Sequence, residues 1–282
     1  MKKTSVITLI SGILMSIFLA GVPLSLEAKV KIHSISSPDG RLELQIVTQT
    51  EISFCLLHEG SKIVSSVPLS LTLQDGRVLG PGAKLVSARK TTVSETIPSP
   101  LYRKSEIKTQ YNQIDFSFSN GWGLQFRLYD QGAAYRFYTN IKENISIMEE
   151  TAGYLFEKDY ACYVPYSRGE ENPFQNSFEN VYTVTPLSGI DPERLAFLPL
   201  LVCLDKGHRM ALTESDLESY PGMYLRGEKS AQAFALKGVF APVPSETKVH
   251  PYRGQVMPVA YSNVLAHTKG TRTYPWRIMA FA

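Results

Sequence analysis

Cysteine is scarce in this chain: Cys55, Cys162 and Cys203 are the only three among 282 residues, far apart and in no CxxC pair. The odd count leaves at least one thiol unpaired, and Cys55 and Cys203 sit in apolar runs, so buried structural thiols are expected. One disulfide among the three stays open. Histidine is nearly as sparse. His33, His58, His208, His250 and His267 form neither HxH nor HExxH, which removes the usual zinc spacings. No GxSxG elbow, GxxxxGK phosphate loop or GxGxxG turn is present. Neither a serine-hydrolase nucleophile nor a nucleotide site therefore has a sequence warrant. Neither sign of charge dominates: 29 Lys and Arg stand against 26 Asp and Glu, with no basic run. That argues against nucleic acid as a partner.

Long apolar runs are few. One follows Met1-Lys2-Lys3, where Val6 to Leu26 is mostly apolar and Glu27-Ala28 closes the stretch. Gly21, Pro23 and Glu27 interrupt it, so residues 1–28 read as a secretory signal peptide rather than a membrane anchor. Nothing later is apolar for long enough to span a bilayer. A secreted or periplasmic protein is expected, with one mature domain over residues 29–282.

Sustained helical periodicity is also missing. Short helical turns are conceivable at Asp191-Pro192-Glu193-Arg194 and at Ser215-Asp216-Leu217-Glu218. Arg41–Val47, Gln113–Ser119 and Gly123–Tyr129 instead alternate apolar and polar residues with period two, the mark of half-buried antiparallel strands. Pro38-Asp39-Gly40, Asp75-Gly76, Asn120-Gly121 and Asp130-Gln131-Gly132 supply the turns between them. Phe197–Leu204 and Trp276–Ala282 are nearly continuous apolar runs, as expected of strands deep in a packed sheet, and Trp276 is expected in the core. Many strands joined by short turns predict an all-β fold, a large antiparallel sandwich. Tyr166 to Asp191 departs from the pattern. It is polar, aromatic and rich in Gly, Asn and Pro, as a long functional loop or a disordered one is.

Several side chains carry two readings each. Trp122, in Asn120-Gly121-Trp122-Gly123, suits either a platform for a sugar's apolar face or a packed hairpin aromatic. Glu214, in Thr213-Glu214-Ser215-Asp216, is either a substrate-facing carboxylate or an acid beside a capped helical turn, and Asp216 shares both readings. Glu179 is a single carboxylate in the long loop, either a ligand or simply solvated. Glu170 and Glu171 are adjacent, which suits solvation rather than a preorganised acid and base.

Four segments in order carry a resemblance: Ser37-Pro38-Asp39-Gly40-Arg41-Leu42, Asp130 to Phe137, Thr213 to Leu225, and Tyr274-Pro275-Trp276-Arg277. Together they resemble the N-terminal domain of glycoside hydrolase family 97, whose members are secreted or periplasmic α-glycosidases, most of them calcium-dependent. The resemblance implies a sandwich of the galactose-mutarotase type that packs against a (β/α)8 barrel. The catalytic carboxylates of the family sit on that barrel, which this sequence lacks, so no residue here is assigned as catalytic. Glu179 matches the glutamate that reaches the barrel site as a calcium ligand. Glu214 and Asp216 match acids near the substrate, and an α-glucoside or α-galactoside is the implied partner. A stand-alone carbohydrate-binding module is the alternative. A mutarotase-like sugar epimerase is a further one, though it needs a His/Glu pair over the sugar for which no motif is seen.

Overall fold

The computed structural model describes residues 31–168, 173–175, 178–228 and 234–282. The signal-peptide expectation for residues 1–28 and the Glu170-Glu171 pair lie outside them. The first ten strands are β1 (Ile32–Ser36), β2 (Leu42–Thr48), β3 (Ile52–His58), β4 (Ser61–Leu73), β5 (Val78–Leu79), β6 (Leu85–Pro98), β7 (Glu106–Phe118), β8 (Trp122–Tyr129), β9 (Gly132–Asn140) and β10 (Ile145–Phe156). Then come β11 (Ala161–Val164), β12 (Thr183–Pro186), β13 (Leu200–Cys203), β14 (Arg209–Ser215), β15 (Met223–Gly227) and β16 (Ala235–Phe240). The last are β17 (Pro244–Val249), β18 (Val256–Tyr261), β19 (Ala266–Thr268), β20 (Thr271–Thr273) and β21 (Trp276–Phe281).

These strands build two large antiparallel sheets and one exposed hairpin. The nine-stranded sheet runs β1-β2-β3-β4-β10-β16-β15, with β19 beside β10 and β5 beside β4. The ten-stranded sheet runs β12-β11-β13-β14-β21-β9-β8-β7-β6, with β20 beside β9. Strands β17 and β18 pair only with each other. The expected all-β sandwich is what forms. Period-two alternation does the work: Leu42, Leu44 and Ile46 of β2 are buried while the residues between them are half-exposed. Across the layers Phe54 meets Phe126 at 5.4 Å and Tyr135 at 5.3 Å between ring centroids. Such edge-to-face contacts make one continuous core from the two inner faces.

Two of the sequence's turn motifs are joined in space. The backbone N–H of Asp39 donates to Asp130 Oδ1 at 2.8 Å, tying the β1–β2 turn of one sheet to the β8–β9 turn of the other. The Asp39 carboxylate itself accepts from Ser37 Oγ at 2.6 Å and from Arg41 Nε at 2.6 Å. The Ser37 hydroxyl, with help from Arg41, holds this carboxyl well below its ordinary value of 3.8. A depressed folded-state value contributes stability above the unfolded value and loses it as pH falls. Asp39→Asn is therefore expected to lower the urea midpoint at pH 7, and the gap to the native chain should close as pH falls below the ordinary aspartate value. A gap that stays constant down to acid pH would refute the carboxylate's part in it.

The structure corrects two local expectations. Neither residues 191–194 nor 215–218 form a helix, and the only helical elements among the described residues are three-residue 3₁₀ turns. The Glu193 N–H goes to Asp191 Oδ1 instead, and Asp216 (φ 60°) and Ser219 (φ 53°) adopt left-handed backbone that breaks a helix. The long loop expected over Tyr166–Asp191 is partly structured: β12 lies inside it and pairs with β11 at the sheet edge. All three cysteines are free.

Candidate functional site

Strand β14 continues its inward alternation, Met210 then Leu212, to Glu214. On the neighbouring strand β21 the inward positions are Arg277 and Met279, and Glu214 stands directly opposite Arg277. Strand β10 of the other sheet brings Glu150 inward with Ala152 and Tyr154. The result is an ionic cluster in the core. Arg277 Nε and Nη2 donate to Glu150 Oε1 and Oε2, both at 2.9 Å, and Nη1 donates to Glu214 Oε2 at 2.5 Å. The guanidinium lies 4.9 Å from the Phe240 ring centroid and is 1% exposed. Glu214 also accepts the Met223 backbone N–H at 2.9 Å. Burial opposes the charge on Arg277, and the two carboxylates outweigh it. Burial likewise pushes the Glu214 carboxyl up, against the pull of Arg277 and the Met223 amide.

This arrangement gives Glu214 a role that neither sequence reading foresaw. It is not beside a helix, and its oxygens are committed to Arg277 and to the backbone of the Tyr220-Pro221-Gly222-Met223 turn. Trp122 is corrected as well. The Asn120-Gly121 turn, with φ 70° and 73°, starts β8 with Trp122 facing inward. Its ring stacks on Phe118 at 4.3 Å and is 2% exposed, so no face is open to a sugar. Asp216 does reach the surface: its carboxylate is 63% exposed and 3.7 Å from Arg136. Trp276 is buried, but on the outer face of its sheet rather than in the core. Arg127 and Arg136 cover it, with guanidinium carbons 4.6 Å and 4.3 Å from the ring.

Glu179 lies in the long loop, 61% exposed, and accepts from Arg168 Nη1 at 3.2 Å. Asn180 beside it donates to the Tyr166 carbonyl at 3.2 Å. An aromatic chain leads from here to the ionic cluster. Phe178 packs on Phe197, Phe197 on Tyr224, and Tyr224 follows Met223, whose amide Glu214 holds. Phe174 extends the chain from Tyr224 to Tyr261, and Gln175 Nε2 pins this end to the Pro258 carbonyl at 2.6 Å. Val181, two residues after Glu179, and Val184, in β12, are 90% and 61% exposed. The loop thus presents a partly exposed apolar and aromatic rim with one carboxylate, paired with Arg168.

That rim does not hold a metal by itself. Calcium takes six to eight oxygens, whereas Glu179 offers two and faces an arginine. No group of three or more His, Cys, Asp or Glu side chains that could hold a metal ion occurs among the described residues.

Comparison with known proteins now bears on this geometry. The family model described as Glycosyl-hydrolase 97 N-terminal matches residues 35–282. The chain belongs to glycoside hydrolase family 97, as its N-terminal domain. A retaining alpha-galactosidase of Bacteroides thetaiotaomicron is 37% identical over 261 residues, which are 90% of this chain and 39% of that protein. The chain thus spans about two-fifths of the length of this curated family 97 relative. Among solved structures, a family 97 enzyme of a Pseudoalteromonas species in complex with acarbose superposes with a TM-score of 0.71 at 17% identity, over 89% of this chain and 35% of that one. A beta-arabinopyranosidase superposes with a TM-score of 0.72 at 17% identity, over 89% and 40%. At these identities the superpositions establish the fold alone. The family 97 motifs in this chain turn out to hold the sandwich together: Asp39 and Asp130 staple its turns, and Glu214 and Arg277 lock its core.

Proposed function

We propose that this domain is the carbohydrate-side partner of a catalytic barrel in an exported α-glycosidase, and that it presents Glu179 to the barrel's active site. The observation that carries the reading is the half-buried aromatic chain that ends at Phe178, with Glu179 and the exposed side chains of Val181, Tyr182 and Val184 following it. Apolar side chains gathered round one carboxylate suit burial against a second domain, and ordinary surfaces seldom gather them this way. In that assembly Glu179 would leave Arg168 and supply one oxygen ligand to calcium, the rest coming from the barrel. Calcium there would contribute a fixed positive charge beside the substrate. The chain's own part is to place the carboxylate on a rigid edge, braced by Asn180, the Phe178–Phe197–Tyr224 contacts and the Gln175 hydrogen bond. An α-galactoside or α-glucoside is the proposed substrate class, and the charged-then-apolar start of the sequence supports export to the periplasm or beyond.

A chimera tests this. Residues 29–282 replace the corresponding part of the Bacteroides thetaiotaomicron relative, and release of nitrophenol from a p-nitrophenyl α-galactoside is followed with calcium or a chelator. The expected result is calcium-dependent hydrolysis, reduced about 10–100-fold by Glu179→Gln, the scale typical of losing a group that supports a metal site. A folded chimera without activity, or one indifferent to Glu179→Gln, would defeat the proposal.

A further inference from the structure

The outer face of the ten-stranded sheet carries an ordered polar lattice that the Glu179 rim does not use. One register row sets Arg89, Asp115, Gln125 and Arg136 side by side across β6, β7, β8 and β9. The adjacent row sets Gln113 beside Arg127. Neighbouring strands are about 4.8 Å apart, so each row offers one polar group per step across the sheet. The lattice is held in place from within. Gln113 Nε2 and Gln125 Nε2 both donate to the Asp115 carboxylate at 2.8–3.0 Å. Arg127 Nε donates to Gln113 Oε1 at 2.8 Å, and Arg136 Nε to Gln125 Oε1 at 2.7 Å.

This network spends the acceptors and leaves donors over. Among the described residues, the terminal nitrogens of Arg127 and Arg136 make no hydrogen bond, and the nearest carboxylate to Arg136 is Asp216 at 3.7 Å. Both guanidiniums rest on Trp276, where burial first and the nearby Arg127 second lower the pKa of Arg136 from its ordinary value. Asp115 lies 3.8 Å from Arg89 and Asp216 3.7 Å from Arg136, so three arginines, Arg89, Arg127 and Arg136, share two carboxylates and one positive charge is left over. Grooves of ≈ 580 Å³ and ≈ 420 Å³ run along Arg136 and along Arg127 with Trp276. Volumes of this order accommodate small organic ligands.

We propose that this face binds a carboxylate-bearing saccharide chain, a hexuronic-acid oligomer, laid across the strands with a carboxylate between Arg127 and Arg136. The guanidinium forks match a carboxylate with paired hydrogen bonds. The amide, carboxylate and guanidinium groups spaced along the rows match a succession of sugar hydroxyls, and the strand spacing resembles the ring-to-ring step of a pyranoside chain. This site stands apart from the Glu179 rim and does not depend on the function proposed for it.

Titration calorimetry of the chain with tetragalacturonate, maltotetraose and poly-glutamate tests the assignment. Tetragalacturonate is expected to bind saturably and to weaken with salt. Arg127→Gln or Arg136→Gln should each weaken it about tenfold or more, as loss of a charge-assisted pair does. Arg77→Gln, paired with Asp75 on a distant turn, should bind as the native chain does. Thermal midpoints of the variants report that the fold is intact. Arg136→Lys, which keeps charge and loses the fork, gives the same reading should Arg136→Gln disturb the sheet. Absence of saturable binding, binding that survives the double Arg127→Gln/Arg136→Gln change, or equal affinity for maltotetraose or poly-glutamate would each overturn the proposal.

Discussion

Arg277→Met is expected to destabilise the chain by about 3–5 kcal/mol, because removing one partner leaves buried charge uncompensated. The methionine fills much of the same volume, so packing alone does not account for the loss. What remains are Glu150 and Glu214 facing each other in the core with no cation between them. Their carboxyls are then pushed upward by burial and by mutual repulsion. A raised folded-state value contributes stability below the unfolded value and loses it as pH rises. The variant's deficit should therefore be smallest below about pH 4.3, the ordinary glutamate value, and widen toward neutrality. Urea unfolding at several pH values reads this directly. Replacing Glu150 and Glu214 by apolar residues as well should recover most of the stability, since fully apolar substitutes for buried ion clusters are often neutral or better. A pH-independent deficit, or a triple variant no better than the single one, would contradict the electrostatic account.

Trp122→Ala should cost about 3–5 kcal/mol, the usual range for deleting a large core aromatic. The ring is 2% exposed and stacked on Phe118, with Phe137 at 6.2 Å on the same inner face. Phe118 and Phe137, which wall the indole, are themselves fixed in paired strands of the same sheet. The indole cavity therefore collapses only partly. Differential scanning calorimetry should show a large drop in Tm, while tetragalacturonate affinity measured well below that temperature stays as in the native chain. A variant that keeps its Tm but loses saccharide binding would restore Trp122 as a sugar platform.

The sandwich was readable in the chain because period two survives in the strands that line the core, β2, β8 and β10 among them. Leu42-x-Leu44-x-Ile46 and Leu124-x-Phe126-x-Leu128 declare their inner faces without help from neighbours. The site was less legible. Glu214 and Arg277 occupy inward positions by the same alternation, so a charge on the apolar phase of a strand was the signal to follow. It went unread because the pairing partner lies 63 residues away and Glu150 lies 127 residues away, and no local pattern joins them. Trp122 was ambiguous because Asn-Gly turns suggest exposure, whereas the register with Phe118 decides its direction. Trp276 misled in the opposite sense. An apolar run predicts a core position, but two arginines from neighbouring strands shelter this indole on the outside. Glu179 needed no correction of place: a polar loop predicted exposure, and exposure is found.

Strand β21 lies between β14 and β9, so the final stretch of the sequence sits in the middle of its sheet. During synthesis, β9 and β14 emerge long before the strand that separates them. Until Trp276–Phe281 leaves the ribosome, the sheet exists as two halves with a gap, and both glutamates of the core wait without their cation. A break placed just ahead of Trp276 would therefore split the sheet between β14 and β9.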